Sequence, residues 1–164
     1  MKVDKSVDVF TAYDLEDIES VNVIKFDILG LKTMESIGNL RDSTGVTVDY
    51  DEIVEDENLM EQFGKGNTDG IFQFEKQAAR NILTDINCDC FNDVIAASAM
   101  NRPGPLSLHM PDIYAQSKVD SKEAQGSIWW PYTSRTYGTI VYQEQVQQIW
   151  IGIAGLTWQD ADKV

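Results

Sequence analysis

The pattern of apolar positions changes character several times along the first half of the chain. The β-branched run over residues 21–26 predicts a short strand, and Asp27 follows at its carboxyl end. From Leu29 to Leu40 apolar residues recur at helical spacing, which predicts a helix. The acidic stretch over residues 49–57 is typical of a loop, and a short helix is expected over residues 59–63. The first half therefore predicts one strand and two helices.

Helical periodicity dominates the second half. Residues 71–84 are predicted to form an apolar entry and a helix, and further helices are predicted over residues 91–100, 109–119 and 143–154. Asp89 is expected to cap the second of them, and a polar, then aromatic, connection is expected over residues 120–134. Residues 139–142 form either a short strand or an extended lead-in to the last helix. Thr157, followed three residues later by an acid, predicts a further helix that the chain leaves after about one turn. The fold class is therefore predicted to be mixed and mostly α.

Composition permits a folded core and argues against a membrane span. Hydrophobic residues make up 43% of the 164 residues, which is enough apolar surface to bury. No apolar run approaches the roughly 18 residues that a membrane-spanning helix needs. Cys88 and Cys90 lie too close together to staple the fold, and no second pair completes a zinc site. They are interpreted as buried or incidental thiols.

The charge argues against a free-standing nucleic-acid binder. Thirteen basic and 27 acidic side chains give a net charge of −14. The excess is uneven, since residues 1–63 carry −11 and residues 64–164 only −3. A polyanion such as DNA is repelled by that balance. A segment of a larger enzyme, with its basic grooves elsewhere, fits the charge better.

Asp27 is the candidate for metal chemistry. Magnesium prefers oxygen ligands and usually takes one or two carboxylates together with substrate phosphates. A carboxylate at the end of a strand, flanked by apolar residues that fix its direction, suits that task. On spacing alone, however, such an aspartate is more often a helix N-cap or a solvated group.

Residues 23–33 resemble the segment that carries the third catalytic aspartate of family C replicative DNA polymerases, the family of the bacterial DNA polymerase III alpha subunit. Further segments resemble the family's motifs in the family's order. They are residues 67–75, 101–106 and 136–146. Residues 12–18 also resemble the family's lead-in to the aspartate strand. The shorter, aromatic-rich linker before Thr136 points to a divergent member, such as a phage or metagenomic one.

The resemblance implies a fold and residue roles. Residues 1–32 would end the palm domain with a short β-strand segment, and residues 33–164 would form a helical fingers domain. Asp27 would be a catalytic, metal-binding carboxylate, with Lys25 on the same face near the primer terminus or phosphates. The candidates for lining the nucleotide pocket are Arg102, Tyr142, Gln143 and Gln145. Their alternative roles are structural: residues 102–105 stop one helix, and residues 142–145 start another.

The implied activity is that of a DNA-directed DNA polymerase. It would transfer dNTPs to a primer 3′-hydroxyl under template direction, with two Mg²⁺ ions. The partners would be primer–template DNA, dNTPs, the missing polymerase segments and other replisome subunits, in the cytoplasm of a bacterial or phage-infected cell and not at a membrane.

Departures from the family pattern keep two rival functions open. The family's Asp-x-Asp pair lies upstream of the aspartate segment and has no counterpart here, so the chain alone is expected to be inactive. Residues 76–80 also depart from the family's Ser-Arg-Gly run, and no role is carried over there. One rival is a non-catalytic split or remnant polymerase segment that acts as a replisome binding or assembly module. The other is an acidic protein that imitates DNA charge, although such a mimic needs none of the four motifs. An upstream Asp-x-Asp palm would favour the polymerase.

Overall fold

The structure is a computed structural model that describes residues 12–54 and 56–163. The chain divides into two units, Met1–Thr47 and Val48–Val164. The α-helices of the described residues are α1 Leu15–Ser20, α2 Lys32–Thr44, α3 Tyr50–Val54, α4 Glu57–Gly64, α5 Gln77–Asp85, α6 Phe91–Met100, α7 Pro103–Ser107, α8 Met110–Val119, α9 Lys122–Gln125, α10 Trp130–Thr133, α11 Gln143–Ala154 and α12 Trp158–Ala161. A 3₁₀ helix spans Ser134–Thr136. None of these described helices is long and apolar enough to cross a membrane.

The first unit contains α1 and α2, joined by a segment without regular structure. The strand predicted over residues 21–26 is wrong for the described part of the chain, which contains no β-strand. The physical reason is that a strand needs a neighbour to receive its backbone hydrogen bonds, and the described residues offer none. Helix α2 starts after Leu31, later than predicted, and ends at Gly45, whose φ of 70° suits glycine.

The second unit is built around α4, α5, α6 and α8, which pack against one another. Leu83 and Tyr114 are fully buried between them, and Phe63 meets Phe74 edge to face at 5.9 Å. The other buried members of this core are Met60, Ala79, Ile82, Ile86, Cys88, Val94, Ala96, Ala97 and Met100. The mostly helical class predicted from the periodicity is confirmed.

Two local predictions in the second unit are wrong. The acidic stretch over residues 49–57 contains α3, because the Asp49 carboxylate accepts a hydrogen bond from the Asp51 backbone N–H at 2.9 Å and caps a helical turn. The N-cap of α6 is Cys90, not Asp89. The Asp89 carboxylate instead forms an ion pair with Lys118 at 2.9 Å. The partner of Asp89 is therefore a residue far away in the sequence and not the start of α6.

Helix ends with a local chemical signal were predicted well. Helices α6 and α11 span the residues expected from the periodicity, and α11 ends at Gly155 with a φ of 70°. Thr157 caps α12, since its hydroxyl accepts from the Asp160 backbone N–H. Residues 139–142 are the extended lead-in to α11 and not a strand.

The aromatic connection before α11 is folded as short helices and tightly packed. Gly138 follows the 3₁₀ helix with a φ of 92°. A Cβ atom added to it would lie 2.3 Å from the Ala124 Cβ on α9. The backbone of this turn therefore rests directly on α9, a contact that only glycine allows.

Candidate functional site

Asp27 lies in the irregular segment of the first unit, with its side chain accessible. The Lys25 ammonium is 3.1 Å from Asp27 Oδ1, and the two side chains are 55% and 61% exposed. Their contact places Lys25 and Asp27 on the same side of the chain. Because the N-cap of α2 is Leu31, Asp27 does not cap a helix. The accessible Asp27 carboxylate can bind a cation from outside, and the Lys25 ammonium can bind a phosphate.

Asp27 alone offers only part of a metal site. Among the described residues, only Asp89, Cys90 and Asp93 form a group of three candidate ligands, with their atoms within 4.8 Å of one another. Asp27 is not one of them. Its carboxylate has the oxygen donors that Mg²⁺ prefers, but further ligands would have to come from elsewhere.

The cation beside the Asp89–Cys90–Asp93 group is the ammonium group of Lys118. Lys118 Nζ lies 2.6 Å from Asp93 Oδ2 and 2.9 Å from Asp89 Oδ1. The Tyr114 hydroxyl donates to Asp93 Oδ1 at 2.8 Å. The Asp93 side chain is fully buried, and that of Lys118 is 13% exposed. The arrangement is a buried ion pair joining α6 to α8.

The electrostatics of this group follow from its burial and its partners. Burial acts to raise the pKa of Asp93, but hydrogen bonds from Lys118 and Tyr114 outweigh it and hold the pKa below its usual value. Burial raises the pKa of the Cys88 thiol to about 12 and also raises that of Cys90. Both thiols therefore stay protonated at neutral pH, unlike the thiolates that bind zinc. The ion pair was not predicted from the sequence, although Asp93 within the apolar run of α6 indicates a buried charge that needs a partner.

Gln145 is a structural clamp at the start of α11. Its Oε1 accepts hydrogen bonds from the backbone N–H groups of Val141 and Tyr142 at 2.8 and 2.9 Å. Its Nε2 donates to Thr136 Oγ1 at 2.7 Å and to the Tyr132 carbonyl at 3.3 Å. The residue is only 6% exposed, so its amide is fully engaged within the protein.

We expect Gln145→Leu to destabilise the chain by about 2–3 kcal/mol, because the backbone N–H groups of Val141 and Tyr142 lose their acceptor and the Thr136 hydroxyl loses a donor. Gln143→Leu, on an exposed position of the same helix, should change the free energy of unfolding by less than about 0.5 kcal/mol. Urea denaturation of both variants measures the difference. Equal stability of the two would contradict the clamp.

A cavity of about 390 Å³ lies beside the first turn of α11. Tyr142, Gln145 and Arg135 line it together, so the structure brings two of the predicted site residues to one place. Arg135 was missed because nothing in its local sequence marks it. Gln143 is exposed and does not line this cavity.

Arg102 lies elsewhere in the second unit. It is the N-cap residue of α7, its side chain is exposed, and it lines a separate cavity of about 440 Å³. The structure therefore does not unite Arg102 with Tyr142 and Gln145. Pro103 starts α7, so the Arg-Pro-Gly-Pro turn both follows α6 and begins the next helix.

The motif at residues 67–75 folds into a closed turn. The Thr68 hydroxyl is buried and donates to the Phe74 carbonyl at 2.6 Å. The Arg80 guanidinium forms an ion pair with the Asp69 carboxylate at 2.6 Å. These contacts fix the direction in which the chain enters α5.

The described residues form a mostly helical fold, and comparison with known proteins specifies the family. Residues 31–164 match the family described as the bacterial DNA polymerase III alpha subunit finger domain. The chain belongs to this family.

Individual relatives carry the same family name. The chain is 32% identical to the DNA polymerase III subunit alpha of Aquifex aeolicus over 166 aligned residues, which cover 97% of this chain and 14% of that protein. It is 37% identical to the protein of the same name from Campylobacter jejuni, over 94% of this chain and 13% of that protein. The Rickettsia prowazekii protein is 34% identical over 92% of this chain. The chain thus spans about 13–14% of the length of these relatives.

Proposed function

We propose that this chain forms part of a replicative DNA polymerase that transfers dNTPs to a primer 3′-hydroxyl under template direction. The observation that carries the proposal is the family match over residues 31–164. Residues 1–32 would complete the palm domain, and residues 33–164 would form the fingers domain. The partners would be primer–template DNA, dNTPs, the remaining polymerase segments and other replisome subunits, in the cytoplasm of a bacterial or phage-infected cell.

Within that enzyme Asp27 would supply one oxygen ligand of the metal site. Mg²⁺ bound there would stabilise the charge on the attacking and leaving oxygens. The exposure of Asp27 and its lack of a capping role support the assignment. Lys25, held beside it, would offer its ammonium to a phosphate once a stronger cation takes the carboxylate. Residues 21–26 would form a palm strand where partner strands are present.

Tyr142 would line the nucleotide pocket from the cavity beside α11. Its neighbour Arg135 is exposed and offers a cation there. Gln145 would hold the Tyr142 backbone in place, and Gln143 would reach the nucleotide from the exposed side of α11. Arg102 would contact the nucleotide from the separate cavity that it lines.

We expect the isolated 164-residue chain to extend no primer, because one carboxylate cannot hold two Mg²⁺ ions. A radiolabelled primer-extension assay on protein free of host polymerase measures this. Incorporation that co-purifies with the chain and disappears in an Asp27→Asn variant would contradict the expectation.

A segment exchange tests the proposed function. The matching segment of the Campylobacter jejuni relative would be replaced by this chain, and primer extension would be measured. We expect the chimera to extend primers. A second chimera carrying the Rickettsia prowazekii segment controls for the exchange itself.

An inactive chimera beside an active control would refute the catalytic proposal, provided that both chimeras fold equally well by circular dichroism. If the inactive chimera also retained the parent's binding to other replisome subunits, the chain would be an assembly module.

A further inference from the structure

Residues 23–29 form a contiguous apolar patch in the first unit. Ile24, Phe26 and Ile28 are 72%, 81% and 96% exposed, and Val23 and Leu29 are exposed as well. Single apolar residues on a surface are ordinary, but five within seven consecutive positions form a patch of the kind that marks an interaction site.

The backbone of this segment is also available for pairing. Among residues 12–54 and 56–163, no backbone hydrogen bond involves residues 24–30, and this stretch has no regular secondary structure. A row of unpaired N–H and C=O groups is a template for a strand from another molecule. The β-branched and aromatic residues of the segment favour the strand conformation that such pairing requires.

The apolar residues of the segment are arranged so that it is complementary to itself. In an antiparallel pair centred on Phe26, each residue faces the one that lies equally far on the other side of Phe26. Ile24 then faces Ile28 of the second copy, and Val23 faces Leu29. Every apolar side chain is therefore opposite another apolar side chain, which is the contact that stabilises neighbouring strands.

The two charged residues select this register. Lys25 faces Asp27 of the second copy, and twofold symmetry makes this ion pair occur twice. Antiparallel pairing centred on Lys25 or on Asp27 would instead oppose two lysines or two aspartates. Parallel pairing in register would oppose both kinds of like charge. Like charges directly opposite each other destabilise a strand pair, so the arrangement centred on Phe26 is favoured.

The charge of the whole chain does not prevent this association. The net charge is −14, but Lys25 and Asp27 are the only charged residues of the segment and cancel each other. Repulsion between acids elsewhere on the two copies is largely screened beyond about 8 Å at physiological ionic strength.

Helix α2 offers the second layer that a two-stranded ribbon needs. Two strands alone are marginally stable in water unless an apolar layer packs on one face. The helix begins one residue after Leu31 and has no buried residue. Its exposed large apolar side chains are Met34, Ile37 and Leu40.

We propose that residues 23–29 pair antiparallel with the same residues of a second copy of this chain, giving a twofold-symmetric dimer centred on Phe26, with α2 packed on the ribbon. The inference does not rest on the proposed function, because it concerns the chain by itself. In the dimer the Asp27 carboxylate is paired with Lys25 of the second copy, so self-association withdraws Asp27 from an incoming cation.

The test is sedimentation velocity of the 164-residue chain at several concentrations in about 0.15 M salt. We expect a reversible dimer. Lys25→Asp and Asp27→Lys each replace two attractive pairs by two repulsive ones and should raise the Kd of the dimer by about tenfold or more. Lys122→Asp makes the same change of charge at an exposed position of α9 and should leave the Kd unchanged.

Mixing the two single variants tests the register itself. In a mixed pair, one ion pair joins the two introduced charges and the other joins the two original ones, so both are attractive. We expect the mixture to dimerise about as well as the wild type, although each variant alone does so weakly. The double variant Lys25→Asp/Asp27→Lys should recover in the same way. Circular dichroism of every variant checks that the fold is kept.

Three results would overturn the proposal. A chain that stays monomeric at every concentration would leave the segment to strands of other polymerase segments. A dimer that neither single variant weakens uses a different surface. Weakened variants that do not recover on mixing exclude this register.

The activity of the Campylobacter chimera is a separate measurement. An active chimera beside a monomeric chain refutes the pairing alone. An inactive chimera beside a dimer that recovers on mixing refutes the polymerase role alone.

Discussion

Asp27→Asn in the complete polymerase is expected to lower the rate of nucleotide incorporation by about a thousandfold or more, because loss of a metal-binding charge costs several kcal/mol of transition-state stabilisation. The fold should survive, since the Asp27 side chain is exposed and pairs with the equally exposed Lys25. Single-turnover primer extension measures the rate, and circular dichroism checks the fold.

The rival interpretations of Asp27 can be separated. The interpretation of Asp27 as a helix cap is excluded, because α2 starts after Leu31. If Asp27 is merely a solvated group, the variant will extend primers at nearly the normal rate, and the metal-ligand assignment fails. Asp51→Asn, an exposed carboxylate in the first turn of α3, is the control that should leave the rate unchanged.

Lys118→Met is expected to destabilise the second unit by about 3–5 kcal/mol, because it leaves the buried Asp93 carboxylate without its cation. A domain is usually stable by only about 5–15 kcal/mol, so the loss is a large share of the total. Lys122→Met, at an exposed position of α9, should change the free energy of unfolding by less than about 0.5 kcal/mol. Chemical denaturation measures both.

A double variant shows whether the buried charge is the cause. With Asp93→Asn added to Lys118→Met, the uncompensated charge disappears, while Tyr114 still has an acceptor. The double variant should therefore be more stable than Lys118→Met alone. If the two changes simply add, the contact between Asp93 and Lys118 contributes no coupling energy and the ion-pair account is wrong.

The same pair makes stability depend on pH. Because folding lowers the pKa of Asp93, its contribution is fully present above the unfolded value of about 3.9 and is lost as pH falls through the lower folded pKa. The stability difference between the wild type and the double variant should therefore shrink below about pH 4. Acid titration followed by circular dichroism measures it; a difference independent of pH down to about 2 would contradict the shift.

Features governed by local chemistry could be predicted from the sequence. Gly155 adopts the left-handed conformation that ends α11, and the Thr157 hydroxyl is a hydrogen-bond acceptor at the start of α12. Both helix ends therefore follow from neighbouring residues. The bounds of α6 followed in the same way from its apolar run.

Features governed by distant partners could not be predicted in this way. Asp89 was assigned to a cap and is held by Lys118, a residue of another helix. The strand over residues 21–26 was predicted from β-branched residues, but a strand also depends on neighbours that the described residues lack. At the candidate site, the motifs identified Tyr142 and Gln145, whereas only the structure shows that the Gln145 amide is fully engaged and that Arg135 joins them.

The packing of Gly138 against Ala124 limits which residues position 138 can accept. Since a Cβ at position 138 would lie 2.3 Å from the Ala124 Cβ, position 138 cannot accept a larger residue while Ala124 stays as it is. A smaller residue at position 124 would relieve the collision but not the φ of 92° at position 138. Substitution at position 138 is therefore restricted twice, by the contact with Ala124 and by the backbone conformation.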